Sequence, residues 1–185
     1  MLIERGLETF EKALVSLDDK LDIISKKITV RAIGGFVMLY NGVTDHGYTI
    51  DIDSLTVEYD QDVKQLIKDV GRELDIDEDW LNNDCASLEG FLDDLATDIN
   101  WIKPEYSSKN IEFYIADYIG MVKSKSKAIH DGGLVPRKTD KKDLLLLLKM
   151  ENINTIEDIN QDSRFKFIKE EYERTYDFLN DMKRW

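Results

Sequence analysis

The sequence of 185 residues has a single cysteine and no apolar run long enough to cross a bilayer. Cys85 cannot form an intramolecular disulfide or a zinc site by itself, which fits a reducing compartment and argues against redox chemistry. The longest uncharged apolar stretch, residues 32–40, is far shorter than the ~20 residues of a transmembrane helix. The amino terminus has no basic segment followed by an apolar one. We therefore expect a soluble cytoplasmic protein.

The acidic residues are concentrated in one part of the chain, whose formal net charge is -13. Residues 51–100 hold 16 of the 38 acidic side chains and only 3 of the 25 basic ones. Seven basic residues cluster further on: Lys123, Lys125, Lys127, Arg137, Lys138, Lys141 and Lys142. Bulk attraction to nucleic acid is not expected of an acidic protein. The basic cluster could still hold a phosphorylated ligand, while the acidic block is expected to be a solvated face.

Hydrophobic periodicity predicts an α+β protein with a helical carboxyl-terminal part. Apolar residues at helical spacing indicate an amphipathic helix over residues 3–24, and β-branched alternation indicates a strand over 28–33. Further helices are predicted over residues 36–41, 61–74, 88–95, 118–129, 140–150 and 164–185. Further strands are predicted over residues 48–59, 100–104 and 111–116.

The chain contains no internal repeat, low-complexity tract or long linker, so we expect one domain's worth of structure. A chain of this length buries about two thirds of its unfolded surface. We expect an amphipathic helix packed on the core in residues 1–27 and the core itself in residues 28–136. Residues 137–185 would then form a helical part of the same globule.

Two carboxylates and a glycine pair form the candidate site. Asp51 and Asp53 lie in a predicted strand, where side chains two residues apart leave the same face. Two neighbouring carboxylates require a cation, and Mg²⁺ suits them because it binds carboxylates together with substrate phosphates. Gly34-Gly35 lies between a strand and a helix, where it lets the backbone approach a ligand and directs N–H groups at an anion. These residues predict a nucleotide site.

The same residues resemble the signature of the nucleotidyltransferase superfamily with the polymerase-beta-like fold, a glycine turn followed by a hydrophobic-flanked Asp-X-Asp. The AbiEii-type branch adds a lysine on a later helix and an Arg-Lys-X-Asp-X-X-Asp element. The matching residues are Gly34-Gly35, Thr49-Ile50-Asp51-Ile52-Asp53, Lys123, and Arg137-Lys138-Thr139-Asp140-Lys141-Lys142-Asp143. The resemblance implies a small mixed sheet with flanking helices. It also implies transfer of a nucleoside monophosphate from an NTP to an acceptor.

The resemblance assigns a role to each matching residue. Asp51 and Asp53 would hold Mg²⁺, and Thr49 with the N–H groups of Gly34 and Gly35 would bind the nucleotide. The remaining matches are bases that would balance charge on the departing pyrophosphate (Lys123, Arg137, Lys138) and acids that would orient those bases or act as general base (Asp140, Asp143). The third metal carboxylate of the superfamily has as candidates Asp98, Glu112 and the pair Asp140 and Asp143.

Many members of this branch are toxins of toxin–antitoxin pairs that act on tRNA, or serve in phage defence. The expected partners are therefore an NTP, an RNA acceptor and a cognate antitoxin or regulator, without a membrane. The family usually has an arginine where this chain has Gly47, and the long spacing between Gly35 and Asp51 implies an enlarged loop at residues 44–48. This departure favours a second hypothesis, a catalytically idle member that binds or regulates. A third is an antibiotic nucleotidyltransferase, whose polycationic substrate the acidic block would attract.

Cys85 and the repeated acids at Asp75, Asp77 and Asp79 receive plainer interpretations. No basic residue lies near Cys85 in the sequence, so we expect a small packing residue and not a nucleophile. The acids resemble the start of a calcium loop, but Trp80 stands where such a loop has glycine. We expect no calcium site there.

Overall fold

The computed structural model describes residues 5–43, 47–56, 59–87, 99–105, 108–132 and 138–182. The protein is α+β and contains a five-stranded mixed sheet, which confirms the predicted fold class of a small mixed sheet with flanking helices. The chain divides into two compact units, Met1–Asp117 and Tyr118–Trp185. In the ranges that the structure describes, no helix has both the length and the apolar character needed to cross a bilayer.

The amino-terminal unit contains the whole sheet. The α-helices among its described residues are α1 (Leu7–Ile23), α2 (Gly34–Tyr40) and α3 (Gln61–Glu73). Its strands are β1 (Ile28–Ile33), β2 (Ile52–Ser54), β3 (Leu81–Asn82), β4 (Trp101–Ile102) and β5 (Ile111–Ala116), with a 3₁₀ turn at Asp84–Ser87 after β3. The strand order across the sheet is β3-β2-β1-β5-β4. The central strand β1 runs parallel to β5 and antiparallel to β2, and β2 runs parallel to β3.

One face of the sheet is covered by α1 and α2. Alternation along β1 directs Val30 to this face, where it is fully buried, and its partner on β5 is Phe113. The ring of Phe36, on α2, lies between those of Phe113 and Phe10, with centroid distances of 5.9 Å and near-perpendicular planes. This aromatic cluster fixes α2 on the sheet and therefore fixes the turn that joins β1 to α2.

Helix α1 is held by its apolar stripe and by one carboxylate. Its buried residues at spacings of three and four are Phe10, Ala13, Leu14, Leu17 and Leu21, and this stripe packs against α3 and α2. The carboxylate of Asp18 accepts hydrogen bonds from the Ser108 hydroxyl (2.6 Å) and from the backbone N–H groups of Asn110 (2.7 Å) and Lys109 (3.1 Å). Asp18 therefore ties α1 to the turn before β5.

The carboxyl-terminal unit is helical. Its elements are α4 (Tyr118–Asp131), α5 (Lys138–Met150), α6 (Ile156–Gln161), α7 (Lys166–Glu171) and α8 (Glu173–Asp181). Helix α6 begins with a capping box in which the Thr155 hydroxyl accepts from the N–H of Asp158 and the Asp158 carboxylate accepts from the N–H of Thr155. The sequence predicts α4 and α5 but not α6, because six residues are too few to show a helical period.

The predicted single helix over residues 164–185 is wrong. A 3₁₀ turn at Ser163–Phe165 leads into α7. The helical conformation is interrupted at Tyr172 (φ -123°, ψ 61°), and α8 begins after it. The Tyr172 side chain is buried, and its carbonyl accepts from the N–H groups of Thr175 and Tyr176, so a new helix starts there. The apolar spacing continues across the break and cannot reveal it.

The predicted strand over residues 48–59 is also wrong in extent, because among its described residues only Ile52–Ser54 form a strand of the sheet. Thr49 instead forms an isolated antiparallel bridge with Arg5. The predicted strand over 100–104 is confirmed only as the short β4. The predicted helix over 88–95 and most of the loop at 44–47 lie outside the described residues.

Candidate functional site

The glycine pair stands at the junction of β1 and α2. Gly34 has φ +72°, in the left-handed region that side chains rarely adopt. A Cβ atom at this position would lie only 2.6 Å from Oδ2 of Asp53. Glycine is therefore required at position 34 both for the backbone conformation and for the close approach of the Asp53 carboxylate.

The second glycine is in similarly close contact with Thr49. A Cβ atom at Gly35 would lie 2.7 Å from Oγ1 of Thr49. The Thr49 hydroxyl donates to the carbonyl of Asp51 at 3.4 Å, and the Thr49 backbone exchanges two hydrogen bonds with Arg5, of 2.7 and 2.9 Å. The segment that leads into β2 is thus held against the glycine turn.

The sheet register explains why Asp53 reaches Gly34. Asp53 on β2 is paired directly with Ile33, the last residue of β1, and opposite residues of an antiparallel pair present their side chains on the same face. On the other side of β2, Asp53 is in register with Asn82 of β3. The glycine turn, Asp53 and Asn82 therefore lie at one edge of the sheet.

Both candidate metal carboxylates contact one short segment, residues 82–85. The side-chain amide of Asn82 donates to Oδ2 of Asp51 at 3.2 Å. The Cys85 thiol donates to Oδ1 of Asp53 at 3.6 Å. Asp51 and Asp53 are each partly exposed. Sequence reasoning did not place Asn82 or Cys85 beside the acids, because β3 has only two residues and gives no periodic signal.

Asp117 is a third acid at this edge of the sheet. It directly follows β5, and the carboxyl ends of the parallel strands β1 and β5 meet at the same edge. The amide of Asn100 donates to Oδ2 of Asp117 at 3.2 Å, and the N–H of Asp117 donates to the Asn100 carbonyl. A carboxylate directly after a strand was the sequence signal that could have identified Asp117.

Glu112, another candidate for the third metal carboxylate, does not join this group. Glu112 is paired with Thr29, four residues along β1 from Ile33, so it lies about 13 Å from the glycine turn at ~3.3 Å per residue. Asp98 lies outside the described residues. Within the described ranges, no group of three or more Asp, Glu, His or Cys side chains is arranged to hold a metal ion.

The remaining predicted site residues belong to the carboxyl-terminal unit. There the two predicted acids pair with Lys125, and the resemblance had pointed to Lys123. Nζ of Lys125, on α4, lies 2.9 Å from Oδ1 of Asp140 and 2.7 Å from Oδ2 of Asp143, both on α5. Lys123 instead has its Nζ 5.3 Å from the centre of the Phe167 ring. Asp140 and Asp143 therefore fix Lys125 in place.

Burial makes this three-residue cluster electrostatically demanding. The Lys125 side chain is only 8% exposed, and those of Asp140 and Asp143 are 13% and 16% exposed. Burial alone would lower the pKa of Lys125, but the two carboxylates outweigh this effect and raise it above its ordinary value. Lys125 is held as a cation. Of the other predicted bases, Lys138 is exposed in the first turn of α5, and Arg137 lies outside the described residues.

Comparison with known proteins adds no second line of argument about these residues. No protein-family model, curated protein or solved structure matches the chain.

Proposed function

We propose that the protein is a Mg²⁺-dependent nucleotidyltransferase that transfers a nucleoside monophosphate from an NTP to an acceptor. The observation that supports this most directly is the contact between the glycine turn and Asp53. A glycine turn with no room for a side chain directly follows Ile33, the residue that pairs with Asp53 on the neighbouring strand. Such an arrangement places backbone N–H groups for phosphates beside carboxylates for a cation.

The residues present suit Mg²⁺ and a triphosphate. Asp51 and Asp53 offer the hard oxygen ligands that Mg²⁺ prefers, and two carboxylates suffice because the ion retains waters and takes the remaining ligands from phosphates. When bound, the ion would neutralise phosphate charge and lower the pKa of the acceptor hydroxyl. Asn82 would orient Asp51 through its side-chain amide, and the N–H groups of Gly34 and Gly35 would bind phosphate oxygens.

The acceptor is proposed to be RNA, with tRNA as the first molecule to test. A small cationic acceptor such as an aminoglycoside is the alternative, because residues 51–100 are strongly acidic. The toxin–antitoxin setting and the roles of Lys123, Arg137, Lys138, Asp140 and Asp143 in charge balance are proposed on the sequence resemblance alone.

The decisive experiment uses each α-³²P-labelled NTP with Mg²⁺ and either total tRNA or a panel of aminoglycosides. We expect label to pass to one acceptor class, and Asp51→Asn or Asp53→Asn to reduce transfer by about a thousandfold, the scale typical of lost electrostatic stabilisation in a transition state. Asp79→Asn, an exposed acid of the same unit, is the matched control and should retain full transfer. Full activity in either site variant with an unchanged fold would overturn the proposal.

The idle binding module is the second candidate, and one observation favours it. Asn82 and Cys85 already donate to oxygens of Asp51 and Asp53, and a metal ion must share or displace these donors. Isothermal titration with NTP and Mg²⁺ separates the two functions. Binding that depends on Asp53, without transfer to either acceptor class, would assign the protein to this second function.

A further inference from the structure

A groove on the amino-terminal unit lies on the side of the sheet that α1 and α2 cover. It has a volume of about 650 Å³ and is bounded by the outward face of α1, by α2 and by the chain after β4. Its floor contains Leu14, Phe36 and Phe113, which are buried, and Val15 and Tyr40, which are 53% and 37% exposed. The groove thus presents accessible apolar surface above a closed aromatic floor.

The shape of the groove matches a helix. The residues of α1 that line it run from Glu8 to Asp19, eleven residue steps. At 1.5 Å per residue this is about 16 Å, or three helical turns. A single amphipathic helix laid along α1 would fill this length with one apolar stripe, in the mode of helix-in-groove recognition.

The charged residues around the groove indicate which charge its occupant should carry. Three acids on its rim, Glu11, Asp19 and Glu105, form no ion pair with any residue that the structure describes. Lys12, the one basic residue among the described residues of the rim, is already paired with Glu8 at 2.7 Å. The rim therefore carries an uncompensated negative charge above an apolar floor.

We propose that this groove docks a basic amphipathic helix of about three turns, supplied by a partner protein. Apolar residues of the partner would cover Val15 and Tyr40, and its lysines or arginines would reach Glu11, Asp19 and Glu105. Charge complementarity of this kind accelerates association and excludes acidic competitors. The proposal does not depend on nucleotide transfer at the glycine turn.

The test measures fluorescence anisotropy of three labelled 14-residue peptides with the full-length protein at ~0.15 M salt, where charges beyond about 8 Å are screened. The first has leucines at alternating spacings of three and four and lysines elsewhere. The second has the same composition without the stripe, and the third has glutamates in place of the lysines. We expect the first to bind about tenfold more tightly than either control, the effect of ~1.4 kcal/mol.

Substitutions in the protein test whether the first peptide binds in the groove. Val15→Asp and the double variant Glu11→Lys/Asp19→Lys should each weaken binding of the first peptide about tenfold. Ile23→Asp controls for the first change, because Ile23 is an 82% exposed aliphatic residue of the same helix outside the groove. Glu157→Lys/Glu171→Lys controls for the change in net charge, and both control variants should bind as the unaltered protein does.

Two outcomes would overturn the proposal. One is equal binding of the striped and rearranged peptides, or binding that both groove variants leave intact, which would indicate non-specific attraction. The other is a dimer, seen by light scattering, that Val15→Asp converts to a monomer while peptide affinity stays unchanged. That result would assign the groove to a second copy of this chain.

Discussion

Oδ2 of Asp53 lies within 2.6 Å of the place where a side chain at Gly34 would begin. This contact, combined with the positive φ of Gly34, makes position 34 doubly intolerant of substitution. Gly42 provides a natural comparison, because its φ is also positive (+65°) but a Cβ atom there would meet nothing within 4 Å. The two glycines separate the effect of backbone conformation from that of crowding.

We predict that Gly34→Ala destabilises the protein more than Gly42→Ala and also weakens NTP binding. Left-handed backbone strain costs about 1–2 kcal/mol at either position. Only at position 34 must the Asp53 carboxylate also move, so the additional loss reports the contact itself. Urea denaturation gives the two stabilities, and titration with NTP and Mg²⁺ gives the affinities. Equal effects of both variants on stability and on affinity would show that the contact has no consequence.

Lys125 should be far more important for stability than Lys123. Removal of its ammonium group by Lys125→Met leaves two poorly solvated carboxylates without their common partner, which costs about 3–5 kcal/mol for a buried pair. Lys123→Met is the matched control, because it removes a charge from the same helix and leaves the Lys125 ion pairs in place; the contact of Lys123 with Phe167 is of a type worth ~0.5–1 kcal/mol. Thermal and urea denaturation measure both losses. Similar losses in the two variants would mean that the Lys125 cluster contributes little net stability.

The raised pKa of Lys125 also fixes the pH range over which the cluster contributes. A raised folded-state pKa gives a contribution that is fully present below the ordinary lysine pKa and is lost as pH rises through the raised value. We therefore expect the stability difference between the unaltered protein and Lys125→Met to stay constant from about pH 7 to pH 9. A difference that rises with pH within this range would place the pKa of Lys125 below its ordinary value.

Asp18 should lose its stabilising contribution at the acid end of the pH scale. Its partial burial would raise the pKa of its carboxyl, but the hydrogen bonds from Ser108, Lys109 and Asn110 outweigh this, and the pKa is lowered. The contribution is present above the ordinary aspartate pKa and is lost as pH falls through the lowered value.

We predict that Asp18→Asn lowers the urea midpoint at neutral pH and has a smaller effect near pH 3, below the ordinary pKa. Asp19→Asn is the matched control, because Asp19 is the exposed neighbour of Asp18 and lines the groove on α1. A loss from Asp18→Asn that is as large near pH 3 as at pH 7 would contradict an ionic role for this carboxylate.

Cys85 offers a test of nucleotide binding that needs no acceptor. It is the only cysteine, so alkylation by iodoacetamide is followed at a single site by mass spectrometry. Its thiol donates to Asp53, so occupancy of that carboxylate by Mg²⁺ and NTP should slow alkylation about tenfold, the change expected when ~1.4 kcal/mol restricts access. Asp53→Asn should abolish the protection. Alkylation at an unchanged rate with saturating NTP would contradict binding at this place.

The sequence correctly predicted the helices and strands that show a clear periodic pattern in their own residues. α1 and α3 show a long helical period, and β1 and β5 alternate between buried and partly exposed residues, so local pattern and tertiary burial agree. The proximity of the glycine pair to Asp53 was expected because a phosphate-binding turn and metal carboxylates together make a nucleotide site, and not from any strand register. The observed reason is the pairing of Ile33 with Asp53, which depends on register between strands.

The failures occur where a partner element decides the outcome. Residues 48–59 are rich in Ile, Val, Thr and Tyr, yet among those described β1 pairs with only a few, and Thr49 pairs with Arg5 instead. Lys123 and Lys125 are chemically identical and lie about 200° apart around α4, at ~100° per residue. Only the positions of Asp140 and Asp143 on α5 select between them.

The parallel pairing of β1 with β5 has a consequence for synthesis on the ribosome. Residues 28–33 can pair with residues 111–116 only after both have been synthesised. The middle of the sheet therefore joins segments that are some eighty positions apart in the chain. Contacts of such long range form slowly. Until β5 emerges, one hydrogen-bonding edge of β1 is open to other nascent strands. The glycine turn therefore acquires its final setting only when nearly the whole amino-terminal unit has left the exit tunnel.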